Sequence, residues 1–361
     1  MKILILANND VGLYQFRREL IGALLKDHEV WISLPNGGLV EPLVALGCHF
    51  VDTPIDRRGM NPVADMKLLR RYQRMLKQVK PDLVITYTIK PNVYGGLACR
   101  LAGIPYAANI TGLGTAFQKK GPLRTLVTGM YRTALKKAKV AFFENSANLA
   151  LFVSGNIVKQ EKTCLLSGAG VNLQHYSCAP YPDEESPVRF LFVGRVMREK
   201  GIEELLSAME RLQAKGAKCT LDVLGGCEER YEETFRSHEA AGWLRYHGYQ
   251  QNVRPFIMNA HCFVLPSWHE GMANTNLECA AMGRPVITSD IPGCREAVLP
   301  GVSGLLCKAG DGESLYEAMS AFIRLPNGQR AEMGRAGRAH MEAVFDKEIV
   351  VEKTIQELNL N

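Results

Sequence analysis

Residues 262–287 read Cys262-Phe-Val-Leu-Pro-Ser-Trp-His-Glu270-Gly-Met-Ala-Asn274-Thr-Asn-Leu-Glu278-Cys-Ala-Ala-Met-Gly-Arg-Pro-Val-Ile287. The pattern predicts a short buried strand, a loop that contains glycine, a helix that begins near Asn274, and a second strand after Gly-Arg-Pro. The first N–H groups of a helix lack partners and attract anions, whereas a carboxylate there suits hydroxyl groups. Because Glu270 and Glu278 bracket this helix start, the segment predicts a ligand that carries both phosphate and sugar hydroxyls. A helix capped by Asn274, with Glu278 in solvent, is the alternative.

A second segment places cations at a strand-to-helix turn. The apolar run Val188–Val193 leads into Gly194-Arg195-Val-Met-Arg-Glu199-Lys200-Gly201, and a helical pattern follows. Gly194 lets the backbone approach a ligand, while Arg195 and Lys200 are suited to neutralise a leaving diphosphate. A basic surface loop is the alternative. Both segments in one chain favour a binding site.

These motifs together resemble the retaining, nucleotide-sugar-dependent glycosyltransferases of the GT-B type, family 4 or group 1, which carry Glu, seven residues, Glu in their C-terminal domain. The resemblance extends from Met1 to about Phe345. It implies an α/β fold of two Rossmann-like domains that face each other across a cleft. It also implies a C-terminal helix that crosses back to the N-terminal domain.

By motif position, the resemblance assigns Arg195 and Lys200 to the donor diphosphate, Glu270 to the donor sugar and Glu278 to the ribose. Glu270, Arg195 and Lys200 are the predicted catalytic residues. The whole predicted donor site comprises Gly12, Gly194, Arg195, Lys200, Gly225, Tyr249, Glu270, Gly271, Met272, Ala273, Asn274 and Glu278.

Three members of that donor site lie outside the two main motifs. Gly225 lies where the family packs the nucleobase, and Tyr249 lies where the edge of the base is read. Gly12, in the loop after the first predicted strand, would let a backbone amide approach the diphosphate or the acceptor. A turn glycine without a ligand is the alternative for Gly12.

The length of 361 residues and the 47% hydrophobic content indicate two domains. Strands and helices alternate through the first half, which predicts a parallel sheet covered on both faces, and the second half repeats the scheme. We expect an acceptor-binding domain at 1–178, a nucleotide-sugar-binding domain at 179–345, and a returning helix at 346–361. The linker is expected at 177–187, where three prolines interrupt an acidic stretch.

The ten cysteines are scattered without a Cys-x-x-Cys pair, so we expect reduced core thiols and neither a structural metal nor a cofactor. The apolar run Met1–Ala7 is too short for a signal peptide and predicts a strand. No apolar run approaches the roughly 20 residues that span a bilayer. We therefore expect a cytoplasmic protein, peripheral at the inner face of the plasma membrane.

The charge is concentrated in the first half of the chain. Residues 1–180 carry 23 Lys and Arg against 11 Asp and Glu, a balance of +12, whereas the whole chain carries +6. The segments 67–77 and 124–139 are basic and amphipathic, which suits an anionic membrane surface, although two ordinary surface helices are the alternative. We expect an anionic acceptor or surface and no nucleic-acid partner.

The acceptor site is expected in the first domain. Thr88-Ile-Lys90-Pro-Asn92 follows a predicted strand and resembles an element of family members that extend lipid-diphosphate-linked sugars, so Lys90 is the candidate for an acceptor diphosphate. A solvated loop lysine is the alternative. Many relatives have a histidine where this chain has Thr111, so Asn109 or Thr111 is expected to donate a hydrogen bond instead.

The predicted reaction is transfer of a hexose or N-acetylhexosamine from a nucleotide sugar, with UDP favoured, to a lipid-diphosphate-linked or oligosaccharide acceptor in bacterial surface-glycan assembly. Retention by front-face substitution is expected, without a metal. A sugar-nucleotide epimerase and a non-catalytic nucleotide-sugar-binding subunit remain alternatives. A nicotinamide-dependent oxidoreductase is disfavoured because the first strand leads into Ala7-Asn8-Asn9-Asp10-Val-Gly12 and not into Gly-x-Gly-x-x-Gly.

Overall fold

The computed structural model describes residues 1–56, 59, 61–114, 117, 121–183 and 187–360, so residues 184–186 of the predicted linker lie outside the described residues. The chain forms two compact units. One comprises Met1–Ala169 with Glu348–Asn361, and the other comprises Gly170–Lys347.

The first unit contains a seven-stranded parallel sheet. Its strands are β1 (Lys2–Leu6), β2 (Glu29–Leu34), β3 (His49–Asp52), β4 (Leu83–Tyr87), β5 (Tyr106–Ile110), β6 (Val140–Phe143) and β7 (Thr163–Leu165), in the spatial order β3-β2-β1-β4-β5-β6-β7. Its helices are α1 (Asp10–Leu24), α2 (Val40–Ala45), α3 (Pro62–Val79), α4 (Gly96–Ala102), α5 (Pro122–Leu135) and α6 (Ser146–Ser154). Ile3 and Ile5 of β1 enter one hydrophobic cluster, and Leu4 and Leu6 enter another. Because both faces of the sheet are covered, its central strands are continuous apolar runs.

The second unit contains a six-stranded parallel sheet. Its strands are β8 (Val188–Val193), β9 (Cys219–Leu224), β10 (Leu244–Tyr246), β11 (Cys262–Leu265), β12 (Val286–Ser289) and β13 (Gly304–Cys307), in the spatial order β10-β9-β8-β11-β12-β13. Its helices are α7 (Ile202–Ala214), α8 (Glu232–Ala240), α9 (Arg254–Asn259), α10 (Asn274–Ala281), α11 (Gly312–Arg324) and α12 (Asn327–His340). The alternation predicted from the sequence is therefore present in both halves of the chain.

The strand order reverses at one point in each sheet. The reversal lies between β1 and β4 in the first unit and between β8 and β11 in the second. At such a point the connections leave the carboxyl ends of neighbouring strands in opposite directions, which opens a crevice where doubly wound folds bind ligands. In the second unit this crevice is bounded by the loops that follow β8 and β11.

The boundary between the units lies before the predicted one. Residues 170–178, which the sequence pattern placed in the first domain, belong to the second unit. Their place is set by backbone pairing, since the N–H of Val171 donates to the carbonyl of Phe345 at 2.7 Å and Lys347 donates to the carbonyl of Val171 at 3.0 Å. Residues so distant in sequence give no local signal of this pairing.

The last helix, α13 (Lys347–Glu357), returns to the first unit as predicted. Val350 and Leu358 are buried in the hydrophobic cluster of that unit. Lys353 Nζ donates to the carbonyl of Leu165 at 2.9 Å, and Lys139 Nζ donates to the carbonyl of Leu358 at 2.6 Å. Within the described residues, no helix is both long and apolar enough to cross a membrane.

Arg284 of the Gly-Arg-Pro segment is a structural residue of the second unit. Its side chain is 0% exposed, and burial lowers the pKa of its guanidinium. Among the residues that the structure describes, the guanidinium donates to backbone carbonyls alone, those of Ala179, Pro180, Ile257, Met258, Met282 and Gly283. It therefore joins residues 179–180 to α9 and to the end of α10.

We expect Arg284→Met to destabilise the second unit by about 3 kcal/mol or more, because several buried carbonyls would lose a charge-assisted donor. Differential scanning calorimetry would measure this as a fall in the melting temperature of that unit. Arg245→Met, at an exposed position of β10, is the matched control and should leave the transition nearly unchanged. Equal melting temperatures for the two variants would contradict this role of Arg284.

Candidate functional site

The loops after β8 and β11 are in direct backbone contact. Gly201 has a φ of 74°, and a Cβ at this position would lie 2.1 Å from the carbonyl oxygen of Pro266. The N–H of Trp268 donates to the carbonyl of Glu199 at 3.0 Å. Only glycine permits this approach at position 201, because any side chain would push the two loops apart.

This contact brings Lys200 and Glu270 together at the crevice. The Nζ of Lys200 forms an ion pair with Oε1 of Glu270, and the two side chains are 18% and 13% exposed. Ser267 Oγ donates to the same carboxylate oxygen at 2.8 Å. The pair is therefore partly buried and hydrogen-bonded, and each of its two members comes from one of the two sequence motifs.

Arg195 lies in the loop after β8, but its guanidinium is not free. Its Nη1 is 3.0 Å from Oε2 of Glu228, and both side chains are partly exposed. An anionic ligand would therefore have to compete with Glu228 for this guanidinium. No sequence motif marks Glu228 as the partner of Arg195.

The N-terminus of α10 lies next to Glu270. Ala273 occupies the capping position, so within the described residues this helix start has no side-chain cap. Asn274 is the first helical residue, and its Oδ1 is buried without a hydrogen-bond partner in the described part of the chain. The alternative of a helix capped by Asn274 is therefore wrong, because Asn274 lies inside the first turn and its side chain accepts no hydrogen bond from a described residue.

The loop between Glu270 and α10 is held by Gly293. The N–H of Ala273 donates to the carbonyl of Gly293 at 2.7 Å, and Met272 and Ala273 are buried. A Cβ on Gly293, which has a φ of 85°, would lie 2.5 Å from the carbonyl oxygen of Gly271. The Ala273 amide is thus already bonded, and among the three residues after Glu270 only Gly271 is half-buried.

Glu278 lies one turn into α10, and burial raises the pKa of its carboxyl to about 7. A hydrogen bond with Tyr176 and the positive charge of Lys347 act in the opposite direction. Near neutral pH this carboxyl therefore exists in both protonation states. As a carboxylate it can accept hydrogen bonds from two hydroxyl groups.

The predicted base-binding residues lie beyond β9 and β10. Gly225 has a φ of 139°, and a Cβ there would lie 1.8 Å from the carbonyl oxygen of Gly194, so the two glycines pack backbone to backbone. Tyr246 donates from its hydroxyl to the carbonyl of Gly225 at 2.9 Å. Tyr249 follows on the same segment and is 68% exposed.

The structure corrects the prediction for Gly12. This residue lies within the first turn of α1 and not in a loop, and its N–H donates to Oδ1 of Asn9 at 2.6 Å. The side chain of Asn9 thereby caps the helix. Because the cap occupies the Gly12 amide, that amide is not available to a ligand in this structure.

Lys90 is held in place at the carboxyl edge of the first unit's sheet. Its Nζ lies 2.7 Å from Oδ1 of Asp65, both side chains are 14% exposed, and Tyr94 donates to the other oxygen of Asp65 at 3.0 Å. The alternative of a solvated loop lysine is wrong. Thr88, two residues before Lys90, has a φ of 73°, an unusual conformation for a β-branched residue.

Asn109 is a buried structural residue. It is 3% exposed, and its Nδ2 donates to the carbonyl of Thr86 at 3.3 Å. Asn92 Nδ2 donates to the carbonyl of Asn109 at 2.8 Å. Asn109 therefore positions the end of β5, whereas Thr111, two residues later, is half-buried.

The raised pKa of Glu278 predicts a pH-dependent stability. The unfolded chain holds this carboxyl near its ordinary pKa of 4.5 and the folded chain near about 7, so the folded state binds the proton more tightly. Its contribution to stability is complete below about pH 4.5 and is lost as the pH rises through about 7. We therefore expect the free energy of unfolding of Glu278→Gln, relative to that of the wild type, to rise by up to about 3 kcal/mol from pH 4 to pH 8. Urea denaturation of the second unit would measure this difference. A difference that does not change with pH would contradict the raised pKa.

Comparison with known proteins extends over both units. Residues 187–324 match the family model described as glycosyl transferases group 1, and residues 2–145 match the one described as glycosyl transferase 4-like. The chain is 26% identical to the N,N'-diacetylbacillosaminyl-diphospho-undecaprenol alpha-1,3-N-acetylgalactosaminyltransferase of Campylobacter jejuni, over 99% of this chain and 98% of that protein. It is 24% identical to the capsular polysaccharide biosynthesis glycosyltransferase CapM of Staphylococcus aureus, over 82% of this chain and 81% of CapM.

The fold is also similar to that of solved structures. The crystal structure of Anabaena HepE in complex with UDP and glucose matches with a TM-score of 0.80 at 15% identity, over 100% of both chains. At this identity the likeness shows the fold, two Rossmann-like domains of the GT-B type. With both family models matched, the chain belongs to the group 1, family 4-like glycosyl transferases.

Proposed function

We propose that this glycosyltransferase moves a hexose or N-acetylhexosamine from a nucleotide sugar to a lipid-diphosphate-linked glycan acceptor, in the assembly of bacterial surface glycans. The observation that carries the donor half of the proposal is the Lys200–Glu270 pair beside the uncapped start of α10. The acceptor class is supported by the Campylobacter jejuni relative, whose name specifies a diphospho-undecaprenol-linked substrate.

Lys200 and Glu270 would exchange partners when the donor binds. The ammonium of Lys200 turns to the diphosphate oxygens, and the carboxylate of Glu270 is released to accept hydrogen bonds from sugar hydroxyls. The free N–H groups at the start of α10 add partial positive charge on the same side. Arg195 joins them by exchanging Glu228 for the diphosphate. In this way Lys200, Glu270 and Arg195 each have a partner both before and after binding.

Glu278 would hold the ribose by accepting hydrogen bonds from its two hydroxyl groups, which requires the carboxylate form. The nucleobase would lie against the backbone at Gly225, with Tyr249 beside it. We favour UDP as the nucleotide, and the bound UDP of the structurally similar HepE supports that choice.

We propose a front-face substitution that retains the anomeric configuration. The bond from the anomeric carbon to the diphosphate oxygen breaks, and the acceptor oxygen forms its bond on the same face. The acceptor's hydroxyl proton passes to an oxygen of the departing diphosphate. Lys200, Arg195 and the start of α10 stabilise the negative charge that develops there, without a metal in this proposal.

The acceptor would bind at the carboxyl edge of the first unit's sheet. Lys90 and Thr111 are the proposed contacts, and Asn109 positions the strand end that leads to Thr111. We further propose that this basic unit associates peripherally with an anionic membrane, where a lipid-linked acceptor resides.

We expect Lys200→Ala to lower kcat/KM for transfer at least about 100-fold, because one preorganised cation for the leaving diphosphate is lost. Transfer from UDP-sugars to a lipid-diphosphate-linked acceptor would be measured with purified protein. Lys218→Ala, which removes an exposed lysine of the same unit, is the matched control. Near-normal transfer by Lys200→Ala would contradict the proposed site.

A thermal-shift screen of UDP- and GDP-sugars should show stabilisation of the wild type by its donor and weaker stabilisation of Lys200→Ala.

The product's glycosidic bond should have the same anomeric configuration as the donor. Conversion of the donor to an epimer without an acceptor would contradict transfer as the activity. An absence of turnover with every donor that stabilises the protein would indicate a binding subunit.

A further inference from the structure

One face of α3 carries a row of four cations. Lys67, Arg70, Arg71 and Arg74 are spaced by three and four residues, which places them on the same side of the helix. All four are exposed, and within the described part of the chain none forms an ion pair or a side-chain hydrogen bond. Like charges at this spacing repel one another, so the empty protein keeps them together at a cost in stability.

The acidic residue of α3 does not neutralise this row. Asp65, in the first turn, accepts hydrogen bonds from Lys90 and Tyr94. It therefore joins the start of α3 to the loop after β4, at the point where the strand order of the first unit reverses. Because Lys67 follows Asp65 by two residues, the row of cations lies on the opposite side of α3 from Asp65.

The row lines a groove and not a flat surface. The groove has a volume of about 520 Å³, which lies within the range of small-molecule sites. Pro54 and Leu68 supply apolar contacts in its lining, beside the four cations. A recess of this size fits a discrete phosphorylated group, whereas attraction to a bilayer surface needs no recess.

We propose that this groove, the α3 groove, is a binding site for a diphosphate. Arginine guanidinium groups bind phosphate oxygens in pairs of parallel hydrogen bonds, and three arginines and a lysine can share the oxygens of two linked phosphates. Resting on the proposed function, the natural ligand is the diphosphate of the lipid-linked acceptor. The groove then takes the acceptor's diphosphate in place of Lys90, and Lys90 and Thr111 are left as contacts for the sugars of the acceptor.

The test uses inorganic pyrophosphate and the full chain with Arg195→Ala and Lys200→Ala, so that the cations of the second unit do not contribute. In this background Arg70→Gln with Arg71→Gln should weaken pyrophosphate binding at least about tenfold in isothermal titration calorimetry at low salt. Lys26→Gln with Lys77→Gln removes the same charge from exposed positions outside the groove and should change the affinity less than about twofold. Thermal unfolding of each variant verifies the fold.

Equal pyrophosphate affinities in the two double variants, or no binding by the parent, would overturn the proposal. Sedimentation with phosphatidylglycerol vesicles tests whether the groove binds the phosphates of membrane headgroups instead. If the groove variant lost vesicle binding selectively and kept its affinity for pyrophosphate, the groove would bind membrane headgroups and the proposal would be wrong. These binding measurements need no turnover. Their failure would therefore contradict the diphosphate site without contradicting the proposed transfer reaction.

With Arg195 and Lys200 restored, the groove variant should raise KM for a diphosphate-linked acceptor at least about tenfold, with KM for the nucleotide sugar nearly unchanged. An acceptor glycoside without a diphosphate should be used equally well by the groove variant and the control. A loss of kcat for both acceptors would overturn the assignment of the groove to the acceptor diphosphate.

Discussion

The backbone contact between Gly201 and Pro266 is the constraint on which the candidate site depends. It joins the two loops that leave neighbouring strands of the second sheet in opposite directions. It holds these loops in contact, and with them Lys200 and Glu270, which are far apart in the sequence. The contact requires glycine because the carbonyl of Pro266 occupies the space of a side chain. The chemistry of the site is therefore set first by a packing requirement of the backbone.

The cations assigned to ligand binding are already paired with carboxylates. Lys200 is paired with Glu270, Arg195 with Glu228, and Lys90 with Asp65. Such pairing avoids the free-energy cost of leaving a partly buried charge alone. A ligand must replace the carboxylate with something better, which a diphosphate with several anionic oxygens can do and a single weak anion cannot. The cations of the α3 groove are exposed and need no carboxylate partner, because solvent screens their charge until a ligand binds.

Much of the fold could be predicted from the sequence, because apolar runs and helical periodicity are local signals. Strand β3 lies at the edge of its sheet with two exposed residues out of four, so it lacks an apolar run and gives only a weak local signal. The segments that contain Lys200 and Glu270 could also be recognised from the sequence, because the residues of each motif follow one another at fixed spacings. Side-chain partners that come from distant segments could not be predicted in this way.

Three residues show this limit. Glu228, which pairs with Arg195, lies in a segment with no motif. The amide of Gly12 is taken by Asn9, whose role as a cap depends on where the helix begins. The burial of Asn109 follows from a network of polar side chains in the core, and polar residues are expected at the surface by composition alone. In each case the missing information was three-dimensional packing.

The proposed function requires a nucleotide sugar to bind with its diphosphate between Lys200 and the start of α10. A crystal structure of the protein with a UDP-sugar is the decisive measurement. We predict diphosphate oxygens within hydrogen-bonding distance of Lys200 Nζ and of the first backbone N–H groups of α10, with Glu270 released to the sugar. A nucleotide bound elsewhere, with the Lys200–Glu270 pair intact, would contradict this binding mode.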